Sequence, residues 1–416
     1  MKSLWKEQQR RISQLSKALR LSYYRKTDNE ICYYNKPHGV SGNMTESIGA
    51  WPEFIFRGTF CKRTFKGYCS PCFYSQFSLN RPSNNEYSAM VREQFDYVIN
   101  NFNELVVNRQ FMNSSLRENK SISFVMTPTG SFFDDYEFAQ SLRIEMLEKL
   151  CHKAKEYNNR VHMLLECHCK DWNALDFTTE STKYELQLLR ELNTRILFGF
   201  ESVNEYVRNV LYNKHLGIDE FLMAVSNAKS FGLETGAFVF AGLFSMNDAL
   251  TIQDVSKSIR YLIEQNIAPV IMFQNVQQYT INEVLFRENE IQLIEPFTVM
   301  EIILSLINII GEFNANDIEW LIADPKGGPP VPEFNIFDCT RITNSENANS
   351  IYNMVCKLRL TRDLDEFKEN AKKLMETNDY YDYKNFISNC FDENMLFDNT
   401  NKLIDIAEEI VYRREK

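Results

Sequence analysis

The chain has 416 residues, of which 44% are hydrophobic and 25% charged, with a formal net charge of −10. This is the balance of a globular protein, and it excludes a disordered chain, a collagen or a small disulfide scaffold. Residues 1–80 sum to about +8 and residues 291–416 to about −10, so the chain is not a uniformly basic nucleic-acid binder, although its basic N-terminal quarter suits an acidic partner or simply a solvated helix.

Residues 1–25 read as a helix, with Trp5, Ile12, Leu15, Leu19 and Tyr23 at helical spacing among Lys, Arg and Gln. Residues 26–50, with Pro37, Gly39, Gly42 and Gly49, read as a loop. Short apolar or β-branched runs then recur at 53–60, 121–127, 160–167, 195–201, 234–241 and 268–274. Amphipathic stretches follow or separate them at 87–108, 136–157, 179–193, 203–213, 219–231 and 250–266. Six strands alternating with helices predict βα units and a parallel sheet. Six such units make an α/β fold, an incomplete parallel (β/α)6 TIM-like barrel, with its chemistry at the C-terminal strand ends. Gly58, Gly130, Gly199 and Gly242 fall at or near those ends, where backbone turns sharply or approaches a ligand.

Residues 291–416 lose the strand alternation. They hold a strong helix at 298–311, a Pro/Gly-rich elbow at 324–332 and further helical stretches. The expected organisation is a basic helical extension (1–50), the barrel (51–290) and an acidic, mainly helical region (291–416). Apolar runs such as 268–273 fall far short of the ~20 residues that span a bilayer. The basic N-terminus has no apolar core of an export signal, and ten cysteines are too sparse for a disulfide framework. A cytoplasmic protein with reduced thiols and no membrane association is expected.

The most informative segment is 61–74. Cys61, Cys69 and Cys72 fall within twelve residues, directly after the first predicted strand. A CxxC pair places two thiolates on one tight turn, and the third reaches in from the strand end. Three thiolates suit an iron–sulfur cluster with one iron left open. Zinc would normally want a fourth ligand, and no further Cys or His lies nearby in sequence. A trio of free structural cysteines is the remaining alternative.

In this setting the chain resembles the radical S-adenosylmethionine (SAM) enzymes, whose CxxxCxxC motif is here widened to Cx7CxxC. Such widening is found in the branch that includes the Elongator catalytic subunit and the archaeosine-biosynthesis proteins. Other segments are similar to that branch: 57–61 (RGTFC), 129–134 (TGSFFD), 199–208 (GFESVNEYVR) followed by Asn213 and Lys214, 275–280 (NVQQYT) followed by 283–287, and 324–328 (DPKGG). The resemblance covers roughly residues 53–330. It departs at Pro71, where the family usually has an aromatic residue, at 166–172 (ECHCKDW), and in a Cys-rich finish reduced to Cys339.

The resemblance implies a [4Fe–4S] cluster on Cys61, Cys69 and Cys72 that binds SAM at its open iron. One electron from the reduced cluster would split a carbon–sulfur bond of SAM. It further implies that Phe73 or Tyr74 packs the adenine, that Thr129, Gly130 and Ser131 offer backbone groups to the SAM amine or form a plain βα turn, and that Gly242 lets the adenine approach. Glu166 and Glu201 end apolar strands, where a carboxylate is costly unless paired. Each would bind the SAM ribose or amine, or pair with a core arginine. Asn275 and Gln277 would face the substrate or cap the last strand. If the strand runs on, Cys167 and Cys169 share a face opposite His168, as second metal ligands, substrate contacts or plain core residues. Lys62, Arg63 and Lys66 would steer an acidic electron donor such as flavodoxin or ferredoxin, or be solvated.

The leading expectation is a radical SAM enzyme acting on a small molecule, nucleoside or peptide in a biosynthetic pathway. The alternatives are an archaeosine-type tRNA-modifying lyase, transfer of the 3-amino-3-carboxypropyl group of SAM, and a non-catalytic metal-binding scaffold.

Overall fold

The computed structural model describes residues 2–26, 36–37, 51–57, 61–72, 84–108, 121–128, 130–315, 317–326, 334–389 and 395–414. The elements in chain order are α1 (Lys2–Lys26), β1 (Glu53–Phe56), α2 (Asn84–Asn100), β2 (Ile122–Pro128), α3 (Gln140–Lys155), β3 (Val161–Cys167) and the short α4 (Cys169–Asn173). They continue with α5 (Glu180–Glu191), β4 (Arg195–Glu201), α6 (Ile218–Ser230), β5 (Glu234–Ala241), α7 (Asp248–Glu264), β6 (Ala268–Phe273), β7 (Asn275–Val276) and α8 (Ile281–Arg287). The C-terminal part holds α9 (Pro296–Glu312), β8 (Leu321–Ile322), β9 (Phe334–Asn335), α10 (Ser345–Thr361), α11 (Leu364–Met375), α12 (Asn378–Asn389) and α13 (Met395–Arg414).

The main sheet has seven parallel strands in the order β1-β2-β3-β4-β5-β6-β8. Successive residues of a strand face opposite sides. Val125, Leu164, Leu197, Phe238, Val270 and Leu321, one from each of β2, β3, β4, β5, β6 and β8, pack into one small apolar cluster. They lie on one face of successive neighbouring strands, in a sheet that curls into an incomplete barrel. The other face, including Phe54, Phe124, Leu165, Phe198, Val239 and Ile271, packs against the helices in the large core. The expected α/β half-barrel is therefore the observed fold. Its seventh strand is the two-residue β8, in the region expected to lack strands.

Two helical expectations differ locally. The stretch 87–108 divides into α2 and a π-helical turn at Asn103–Asn108, and the helix expected at 203–213 is a π-helical turn at Val207–Leu211. Near the second, Asn213 and His215 adopt left-handed φ of +59° and +56°. The chain thereby doubles back over the C-terminal end of β4. At the other end of the barrel, the buried Arg195 pairs with the exposed Glu234 and the half-buried Glu319. The open end is thus the C-terminal one. Among the described residues, no helix is long and apolar enough to cross a membrane.

Candidate active site

A cavity of about 1240 Å³, counted out to its mouth, opens at the C-terminal ends of the strands. Cys61, Cys69 and Cys72 line it, together with Gly130, Glu166, His168, Glu201 and Lys214. This is the position expected of chemistry on such a barrel.

The cysteine loop is built by local turns and by the chain after β4. Thr64 N–H donates to the Cys61 carbonyl (2.9 Å), and Cys72 N–H donates to the Cys69 carbonyl (2.9 Å). Cys69 itself has φ of +54°, which is costly for a residue with a Cβ. It is held there from outside: Cys69 N–H donates to the Asn213 carbonyl (3.1 Å) and Ser70 N–H to the Tyr212 carbonyl (2.9 Å). The Ser70 hydroxyl adds a bond to the Leu211 carbonyl at 2.5 Å. The doubled-back segment after β4 is thus a cradle for the CxxC turn.

Lys62 and Arg63 are not a free steering patch. Lys62 reaches Asp134 (2.8 Å) and Asp171 (3.1 Å), and the buried Arg63 pairs with Asp171 at 2.8 Å. Their charges tie the cysteine loop to the segments after β2 and β3. Lys66 is exposed.

The carboxylates differ from one another. Glu201, only 4% exposed, pairs with Lys214 at 2.6 Å. Glu201 has φ of +71°, and the β4–β5 register shifts between Gly199 and Glu201. Such irregularities re-aim side chains next to functional sites. A Cβ on Gly199 would lie 2.3 Å from Lys214 Nζ and 2.9 Å from Glu201 Oε1. A side chain there would push the pair out of its present place. Burial works against the Lys214 charge, but Glu201 and then Cys69 keep it favoured, above the ordinary lysine value. Glu166 has no cation in ion-pair reach among the described residues; it accepts a long bond from Thr127 Oγ1 at 3.5 Å. Burial drives its pKa up, against the pull of Lys214.

Gly130 lines the cavity with Glu137 directly behind it: an added Cβ would come 2.2 Å from Glu137 Oε1. Ser131 is fully buried and serves as a tie. Its N–H donates to Glu137 Oε2 (3.1 Å), and its Oγ accepts from His168 N–H (3.1 Å). Gly242 is not among the lining residues. It has φ of +91°, and its Cβ position faces Gln274 and Ile294. Asn275 and Gln277 line the cavity, as do Ala323 and Asp324 after β8. Phe73, Tyr74, Thr129 and Gly58 lie outside the described residues.

The shared face expected for Cys167 and Cys169 does not form, because β3 ends at Cys167. His168 caps α4, its Nδ1 accepting Lys170 N–H at 3.2 Å, and Cys169 starts that helix. With Nδ1 an acceptor, the neutral ring carries its hydrogen on Nε2. Nε2 is buried without a hydrogen-bond partner among the described residues, and the ring lines the cavity. In the sequence, nothing but the segment similarity marks Lys214.

No family model matches the chain. By sequence it is similar to archaeosine synthase subunit beta of Methanosarcina acetivorans, 23% identical over 346 residues, 82% of this chain and 88% of that one. Among solved structures, Elp3 of Methanocaldococcus infernus aligns with a TM-score of 0.39 and 11% identity, covering 74% of this chain and 63% of that one. The radical SAM methyltransferase TsrM of Kitasatospora setae, solved with cobalamin and a [4Fe–4S] cluster, aligns with a TM-score of 0.33 and 11% identity over 56% of this chain. The chain spans 38% of that protein's length.

A parallel half-barrel with three cysteines on the segment after its first strand is the setting for which the sequence resemblance implies a [4Fe–4S] cluster and SAM.

The residues fit these groups in donor chemistry. Three thiol side chains line the cavity, together with the Glu166 carboxyl, which has no ion-pair partner among the described residues. Among the described residues no three His, Cys, Asp or Glu side chains converge to metal-binding distance.

Proposed function

We propose that the chain binds a [4Fe–4S] cluster through Cys61, Cys69 and Cys72 and cleaves SAM beside it to modify a small molecule, nucleoside or peptide in the barrel mouth. The observation that carries this reading is the placement of all three cysteines on the wall of a cavity at the C-terminal end of a parallel half-barrel. Bound there, the reduced cluster supplies the electron that breaks a carbon–sulfur bond of SAM.

The chain's own residues bind, orient and enclose. Glu166 offers a carboxyl to a ligand cation, and SAM carries both an ammonium and a sulfonium. Glu201 is already answered by Lys214, so it shapes the cavity and holds the Lys214 ammonium in place. Phe238, Phe240 and Met272 supply an apolar wall that limits water around a reactive species. Asn275 and Gln277 stand on the β6–β8 side as hydrogen-bonding groups for the substrate. Exposed Lys66 is the remaining basic residue of the described loop for an acidic electron donor.

The archaeosine synthase relative favours a second reading, in which the substrate is a tRNA. The charge left for RNA on α1 is reduced, because Arg11 pairs with Glu408 (2.6 Å) and Asp405 (2.5 Å) and Arg20 is buried. Two measurements test these readings. Glu166→Gln should weaken SAM binding by about tenfold or more, the loss of one charge-assisted contact, while cluster absorbance stays unchanged; normal affinity would remove Glu166 from the site. A tRNA substrate would bind with a steep salt dependence, roughly 0.7–0.9 logarithmic units per phosphate contact. Salt-insensitive or absent binding supports the small-molecule reading.

A further inference from the structure

The N-terminal helix reaches the cysteine loop with a single side chain. Arg20 is 2% exposed and arrives from α1, roughly 40–50 residues upstream of the cysteines in sequence. Its Nη1 donates to the Tyr68 carbonyl at 2.7 Å and to the Thr64 carbonyl at 3.4 Å. Its Nη2 donates to the Cys69 and Cys72 carbonyls, both at 2.8 Å. One planar guanidinium therefore gathers four carbonyls of the loop, two of them on the cysteines of the CxxC turn. A guanidinium does this well because its donors are fixed in one plane and its charge does not titrate.

The helix is placed for this contact with little slack. Its buried face, Ile12, Leu15 and Leu19, packs with Val210 and Leu211 before the cradle and with Ile404 of α13. The Ser13 carbonyl occupies the space that a Cβ on Gly67 would take, 1.9 Å away. Asn213 Nδ2 bonds both the Ser13 hydroxyl (2.9 Å) and the Gly67 carbonyl (2.7 Å). Helix, cysteine loop and the segment after β4 thus lock at one point.

We infer that Arg20 is a positioning residue of the metal site: α1 is part of the cysteine loop's scaffold, and Arg20 fixes the CxxC turn while adding positive charge beside it. This rests on the cluster reading for its electronic consequence but not for its geometric one. Four carbonyls drawn onto one cation hold Cys69 in its left-handed conformation and limit how Cys69 and Cys72 turn. Positive charge near an anionic iron–sulfur centre favours the reduced state, since net charge and hydrogen bonding set its potential.

The test uses Arg20→Ala, Arg20→Lys and, as a control on the other side of the helix, Arg11→Ala. In full-length metal-free protein, alkylation of Cys69 and Cys72 followed by mass spectrometry reads loop opening. Arg20→Ala should speed it about tenfold or more, the effect of losing at least one charge-assisted bond on a local opening equilibrium. Arg20→Lys should fall between, and Arg11→Ala should match the parent chain. In reconstituted protein, Arg20→Ala should lose iron to a chelator faster and show a more negative midpoint potential, while far-ultraviolet circular dichroism stays unchanged. Parent-like alkylation and iron retention in Arg20→Ala would overturn the inference, as would equal acceleration by Arg11→Ala, which would assign the effect to helix docking in general. If Arg20→Ala misfolds, Arg20→Lys carries the comparison alone, and parent-like alkylation there overturns the inference. If the parent chain takes up no iron, the cluster reading fails while the alkylation result still decides the clamp.

Discussion

Lys214→Met removes the ammonium that faces Glu201 at 2.6 Å in a site where the two side chains are 9% and 5% exposed. Breaking a buried pair by deleting one partner leaves a desolvated charge behind and typically costs ~3–5 kcal/mol. At roughly 2.1 cal/mol/K of unfolding entropy per residue, a chain of this length carries about 0.9 kcal/mol/K. The expected drop in Tm is therefore ~3–6 °C. Glu201→Gln should cost a similar amount, because the Lys214 ammonium then faces a neutral amide. The double variant, Lys214→Met with Glu201→Gln, leaves no buried charge at this point and should recover most of the loss. The coupling energy across the cycle should be at least ~2 kcal/mol, well above the few tenths found for independent sites. Thermal unfolding of the metal-free protein, followed by circular dichroism, measures all four corners. Losses that simply add would refute the reasoning, since the two groups would then not depend on each other.

Gly67→Ala should be more disruptive than a surface change. Its φ of +75° already costs an L-residue ~1–2 kcal/mol, and the new Cβ would strike the Ser13 carbonyl, so limited proteolysis should cut α1 faster; an undigested α1 would contradict this. Asp254, which accepts the Ser202 hydroxyl at 2.7 Å, is pushed up to about 7 from 3.8 by burial. A carboxyl with a raised folded pKa contributes its stability fully below 3.8 and loses it as pH rises through about 7. Across that window the loss approaches ~4 kcal/mol, so Asp254→Asn should be more stable than the parent at pH 8 and lose the advantage near pH 4; parallel curves would refute this.

Much of the framework was legible because long strands and amphipathic helices repeat their pattern over many residues. All six predicted strands exist, and the carboxylates at the ends of β3 and β4 do line the cavity. What escaped the sequence lies in short or irregular pieces. β8 has two residues, too few to show alternation, yet it extends the sheet and brings Asp324 to the mouth. Lys214 reaches Glu201 only because left-handed Asn213 and His215 fold the chain back, and no periodicity records such a turn. His168 ends β3 by capping α4, which separates Cys167 from Cys169 where alternation alone would have paired them. Arg20 looked like one more charge on a basic helix. Its role depends on a docking that buries one side of α1, and on Gly67, which makes room for the helix backbone.

The most direct test of the account is metal analysis joined to SAM turnover. The protein is reconstituted anaerobically with iron and sulfide, beside variants with each of Cys61, Cys69 and Cys72 changed to Ala. The account predicts about four irons and four sulfides per chain, the composition of one [4Fe–4S] cluster. It also predicts reductant-dependent consumption of SAM by the parent chain, and loss of that activity in each variant. Stoichiometric zinc with negligible iron, or SAM cleavage that survives removal of any one of the three cysteines, would contradict it.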